Sequence, residues 1–135
     1  MNCGHPPPLR TGRHLRPLPP PQPSPPLGLH PAPRLQRVHL NPGRRLLLYT
    51  DGVTDARDSD NVPFLLDGPE VHAALTAPAL TDALRDLTDL LHRHTGDAPV
   101  TDDLTLLLAE PDRVPAVPAP RPDPGIRSRV DRQER

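Results

Sequence analysis

The chain has 135 residues, with 16 basic side chains, all of them Arg, against 17 acidic ones, for a formal net charge of −1. Its single Cys excludes an intramolecular disulfide, and no apolar run approaches the roughly 18 residues of a membrane span. The near-neutral total hides an asymmetry. Residues 1–50 carry seven Arg and no acid, whereas residues 51–110 carry thirteen acidic residues and three Arg. The basic stretch has no cluster longer than Arg44-Arg45, and one Phe, one Tyr and no Trp leave little for bases to stack on, so nucleic acid is not expected as a partner. With no signal-peptide pattern either, the expected setting is cytoplasmic, away from membranes.

Taken in chain order, residues 1–26 are dominated by Pro, with Pro6-Pro7-Pro8 and the run from Pro17 to Pro26. Composition alone reads this as polyproline II or linker. Alternation over residues 35–40 predicts a half-buried strand, followed by a turn at Asn41-Pro42-Gly43. Residues 44–50 form a short apolar run between that turn and Asp51-Gly52, which predicts a strand buried on both faces. Residues 58–61 are loop-like, and residues 69–75 allow a short helix. Leu80, Leu84, Leu87, Leu90 and Leu91 then fall at helical spacing opposite Asp82, Arg85, Asp86, Asp89 and Arg93. Pro78 suits the first turn of that helix and Gly96 the position just past its end. Residues 104–109 predict a last strand. Beyond Pro111 the Pro- and Arg-rich tail has almost nothing to bury, and disorder is expected there.

Chemistry concentrates at the ends of the two apolar strands. Asp51 follows one and Asp102 precedes the other. If these strands are antiparallel neighbours, both carboxylates reach the same edge of the sheet. Two such groups repel unless a proton or cation lies between them, and the chain has no Lys to supply one. A hard divalent cation is the natural partner for such oxygens. The competing reading is structural: Asp51-Gly52 as a turn and Asp102-Asp103 as a loop cap.

Three motifs resemble a known family. LLLYTDGVTDARD, residues 46–58, resembles the strand ending in Asp-Gly-x-x-Asp/Glu of metal-dependent protein phosphatases of the 2C type. TDDLTLLLAE, residues 101–110, resembles the last strand of that domain. Met1-Asn2-Cys3-Gly4-His5-Pro6-Pro7-Pro8-Leu9 resembles the Asn-Ala-Gly-His-x-Pro strand of the family's stage II sporulation protein E-like branch. The resemblance implies an α+β fold, part of an α/β/β/α phosphatase sandwich with antiparallel strands and one or two helices. It implies the C-terminal half of the domain in residues 1–110 and a tail in residues 111–135, and it turns parts of residues 2–40 from linker into strand.

By motif position, Asp51 and Asp102 are expected as metal ligands in a two-metal Mn²⁺ or Mg²⁺ centre. Gly52 and Asp103 are expected beside them. Asp55 either closes the Asp-Gly motif or is a solvated loop carboxylate. Such metals acidify a bridging water and neutralise phosphate oxygens, so no further catalytic side chain is expected. The implied activity is hydrolysis of a phosphorylated protein, with an anti-sigma factor antagonist as the substrate that the sporulation branch implies. His5 is either a general acid or ligand or, beside Gly4 and Pro6, a local structural residue. Cys3 is expected as a packed thiol.

One family element is missing. The Gly-Asp-x-x-Gly-like segment, whose Asp bridges both metals, has no counterpart, because no acid precedes Asp51. A truncated gene or displaced start is therefore expected, with an exposed apolar sheet face and no turnover by this chain alone. The alternative is an inactive or regulatory fragment that acts by binding protein. A phosphatase of the haloacid dehalogenase type is excluded, because Tyr49 stands where its nucleophilic Asp is needed.

Overall fold

A computed structural model describes residues 2–98 and 102–112. Four short strands form one antiparallel sheet: β1 (Leu9–Arg10), β2 (Arg16–Pro17), β3 (Leu46–Tyr49) and β4 (Leu106–Ala109), in the order β2-β1-β3-β4. Three helices complete the chain: α1 (Asp51–Asp55), α2 (Pro69–Leu75) and α3 (Leu80–Thr95). This is the α+β class expected from the sequence, with three helices where one or two were expected. The additional one is α1, a single turn that starts at the Asp-Gly pair itself.

The β3–β4 ladder is the centre of the fold. It pairs Leu46 with Ala109, Leu47 with Leu108, Leu48 with Leu107 and Tyr49 with Leu106. Because side chains alternate along a strand, Leu47, Tyr49 and Leu108 share one face and are buried there. Val53 of α1, Val71 and Leu75 of α2, and Ala83, Leu87 and Leu91 of α3 meet them in one core. Burial raises the Tyr49 phenol above its ordinary pKa of 10.0, since the charged form is the one that desolvation penalises. Phe64 joins the core from the α1–α2 connection, where its ring meets His94 edge-on with centroids 5.4 Å apart.

The opposite face has no such cover. Leu48 and Leu107, paired across the ladder, remain 38% and 54% exposed. The strand at residues 46–49 is thus buried on one face, not two: the helices pack on one side of the sheet, and on the other Leu48 and Leu107 only border a groove shared with the N-terminal segment. This is the uncovered apolar face that a partial sandwich implies.

α3 forms where its Leu periodicity places it. Its buried stripe is Ala83, Leu87 and Leu91, with Asp82 in the first turn and His92, Arg93 and His94 in the last, both favourable to the helix dipole. Ala79 caps its start, so Pro78 lies just outside the helix rather than in its first turn. Gly96 ends it at φ 53°, where its N–H donates to the His92 carbonyl (2.8 Å). α2 opens on Pro69, a suitable first residue because that position needs no amide donor.

The Pro-rich start contains the β1–β2 hairpin, closed by Leu18 N–H donating to the Pro8 carbonyl at 2.8 Å. The strand expected at residues 35–40 does not form. Its alternation is present, but the segment joins no ladder, and Leu35 and Val38 stay 69% and 39% exposed because no layer covers them. The turn at Asn41-Pro42-Gly43 does form, with Arg44 N–H donating to the Asn41 carbonyl (3.0 Å) and Gly43 at φ 76°. The expectation of a disordered tail falls on residues that, from 113 onward, lie outside those described.

Arg45, just before β3, is buried, and four of its five donors are engaged. Its Nε donates to Glu110 Oε2 at 3.0 Å, and its Nη1 and Nη2 donate to the carbonyls of Leu75 (3.0 Å), Ala77 (2.6 Å) and Pro78 (3.0 Å). One guanidinium therefore ties the sheet to the α2–α3 connection, donating to one buried and two part-buried carbonyls there.

Candidate metal-binding edge

β3 and β4 are antiparallel neighbours, so the end of one and the approach to the other meet at one edge of the sheet. Beyond Tyr49 the pairing continues through Thr50. Its N–H donates to the Thr105 carbonyl (3.2 Å), and its Oγ1 donates to the Asp103 carbonyl (2.7 Å) while accepting from Thr105 N–H (2.9 Å). The Thr50 side chain thus stitches the residue before Asp51 to the segment that carries Asp102 and Asp103.

Gly52 completes the contact. A Cβ built on it would lie 2.6 Å from the Asp103 carbonyl oxygen, 3.1 Å from Asp103 C and 3.4 Å from Asp102 C. Any side chain there would strike rigid backbone, so the glycine is what lets the Asp-Gly turn approach the Asp-Asp segment. Asp51, which opens α1, and Asp102 and Asp103, which lead into β4, are all exposed at this edge. Asp102 Oδ1 accepts from Asp103 N–H at 2.8 Å, which holds that turn in shape. Among the described residues none of these carboxylates has an ion-pair partner; the described ion pairs involve only Arg45 and Arg85. Asp55 lies four residues past Asp51, at the end of α1, exposed and one helical turn away.

The N-terminal motif reaches the same end of the sheet. A groove of about 590 Å³ is lined by Asn2, Cys3 and His5 together with Leu48, Tyr49, Thr50 and Leu107. Asn2 closes the loop from both sides: Oδ1 accepts from His5 N–H (2.9 Å), and Nδ2 donates to the His5 carbonyl (2.8 Å). Gly4 between them adopts φ 78°, and a Cβ there would sit 2.7 Å from Pro26 Cγ. His5 is held by its backbone, while its exposed ring reaches only the Pro6 carbonyl at 3.4 Å. Cys3 is half-buried.

The described residues do not make a complete cation site. Among the described residues no group of three or more His, Cys, Asp or Glu side chains is placed to hold an ion. Asp51, Asp102 and Asp103 offer hard oxygens at one edge, and among the described residues no further carboxylate is placed beside them. Thr50 escaped the sequence reading. Its signal was its place, a hydroxyl residue directly before Asp-Gly at the end of an apolar strand.

The fold is part of that of a PP2C-type domain. Among solved structures the chain is similar to the SiaA-PP2C domain of Pseudomonas aeruginosa, with a TM-score of 0.60 and 22% sequence identity. The match covers 78% of this chain and 43% of that one, so the chain spans less than half of the structure it matches. No curated protein matches its sequence. The model of the Stage II sporulation protein E (SpoIIE) family matches residues 1–112, and the chain belongs to that family.

Proposed function

We propose that residues 1–110 form the part of a PP2C-type phosphatase domain that carries the Asp-Gly and Asp-Asp motifs, followed by a tail at residues 111–135. In this reading Asp51 and Asp102 ligate Mn²⁺ or Mg²⁺. Thr50 and Gly52 position them, Asp103 lies beside the pair, and Asp55 stands one turn away. The family is generally metal-dependent and acts on phosphoproteins. The proposed reaction of the complete domain is therefore hydrolysis of a phosphorylated Ser or Thr, with an anti-sigma factor antagonist as the proposed substrate and the cytoplasm as its setting. No helix among the described residues is long and apolar enough to cross a membrane.

The observation that carries this reading is the approach of Gly52 to the Asp102-Asp103 backbone, which brings two acidic motifs 51 residues apart to one edge. The chain alone is expected to bind Mn²⁺ weakly and to hydrolyse nothing, because the bridging carboxylate is missing. Calorimetric titration with Mn²⁺ tests the ligands: Asp102→Ala should bind less than the parent chain. Equal heats from both proteins would remove Asp102 from the site. Soluble chain with para-nitrophenyl phosphate and excess Mn²⁺ tests the second part, where turnover that Asp51→Asn abolishes would show the centre to be complete. A binding role is the alternative, favoured by the uncovered pair Leu48 and Leu107 and by Leu27, 81% exposed beside the same groove. It would survive the lack of turnover.

A further inference from the structure

The far end of the sheet carries the opposite charge. β1 pairs Arg10 with Leu46, at the start of β3, whereas Thr50 and the acidic edge lie four residues further on, roughly 13 Å along the strand. A pocket of about 440 Å³ opens there, lined by Arg10, Arg13, Arg16 and Arg44 with His14 and His39, and no acidic residue borders it. Among the described residues none of these four Arg side chains is paired with a carboxylate, since the described ion pairs involve only Arg45 and Arg85.

The frame of the pocket is fixed by the backbone. Thr11 N–H donates to the Arg45 carbonyl (2.9 Å), and Thr11 Oγ1 accepts from Arg45 N–H (2.7 Å). His72 Nε2 lies 2.8 Å from the Gly12 carbonyl, so α2 holds the tip of the β1–β2 hairpin in place. Arg44 folds in against that tip: a Cβ on Gly12 would be 3.2 Å from its Nη1. Its guanidinium is thus laid against the pocket wall rather than extended into water. Three like charges on an anchored hairpin and a fourth, Arg44, folded against its tip repel one another, and an anion between them relieves that repulsion.

We propose that this pocket is a second site, separate from the acidic edge, that binds a phosphoryl group as free phosphate or as a monoester on a protein side chain. Guanidinium forks match the several oxygens and double charge of a phosphoryl group better than the single charge of a carboxylate. The volume admits the group together with the residue bearing it. Nucleic acid is a poorer match, because no Phe, Tyr or Trp lines the pocket for a base to stack on.

Calorimetry without divalent metal provides the test, using inorganic phosphate, O-phosphoserine and acetate as probes on the full chain. Both phosphoryl probes should bind and acetate should not. Whichever phosphoryl probe binds tighter identifies the source, free anion or phosphorylated side chain. The double variant Arg13→Ala/Arg16→Ala alters two exposed side chains and should lose affinity by about tenfold or more. Arg16→Gln should lose less but measurably, and circular dichroism checks that both variants fold. Arg37→Ala and Arg57→Ala, exposed Arg positions outside the pocket, should bind like the parent chain. Asp51→Asn should also bind normally, which separates this site from the proposed metal edge. Acetate binding as tight as phosphate, full binding by the double variant, or equal losses in Arg37→Ala would overturn the proposal.

Discussion

The two ends of β3 use charge in opposite ways. At the N-terminal end Arg45 is buried and satisfied, with one carboxylate and three carbonyls gathered around its guanidinium. At the C-terminal end Asp51, Asp102 and Asp103 are exposed, and among the described residues they are without cationic partners. A buried charge with four of its five donors spent inside the fold has little left to offer a ligand; its work is structural. Carboxylates held by backbone contacts while their oxygens face water keep that capacity. The difference separates the residue that holds the sheet to the helices from the residues that could hold an ion.

Removing Arg45 is the severest way to break this contrast. Arg45→Ala leaves three carbonyls without their donor and Glu110 without its partner, and should lower stability by about 3 kcal/mol in urea unfolding. Glu110 is half-exposed, which limits the ion-pair share of that loss. A change below about 1 kcal/mol would mean that water replaces the guanidinium freely. At the acidic end Gly52→Ala should cost about 1–3 kcal/mol, because its Cβ must displace the Asp103 carbonyl. It should also weaken Mn²⁺ binding beyond that stability loss, whereas retained metal affinity would separate the ligands from the Gly52 contact. The mildest change is Thr50→Val, which removes one hydroxyl that both donates and accepts. It should cost about 1 kcal/mol and accelerate hydrogen exchange at the Thr105 amide, which loses its acceptor. Unchanged exchange there would show that the β3–β4 ladder alone holds the edge.

Much of this was legible from local pattern. The Leu spacing of α3, the Pro at the start of α2 and the apolar runs of β3 and β4 each state their element in a few neighbouring residues. The acidic edge was legible as well, because it needs only two strands and the acids at their ends. Residues 35–40 misled for a physical reason: alternation signals a half-buried strand only when another layer covers the apolar side, and here none does. The same reason left β3 open on one face.

The basic pocket was visible in the sequence only as a surplus of Arg. Arg44 and Arg45 show the limit most directly, being chemically identical neighbours at the mouth of one strand. One lines the cationic pocket and the other lies buried among carbonyls. By itself the sequence determined periodicity, turn chemistry and the acids at the ends of the strands, because those depend on near neighbours. Only the tertiary structure decided which Arg is enclosed, since the carbonyls that enclose Arg45 come from residues 75–78, some thirty positions along the chain. It also brought Gly52 against Asp103, because side-chain alternation and the β3–β4 register settle which groups meet across the sheet.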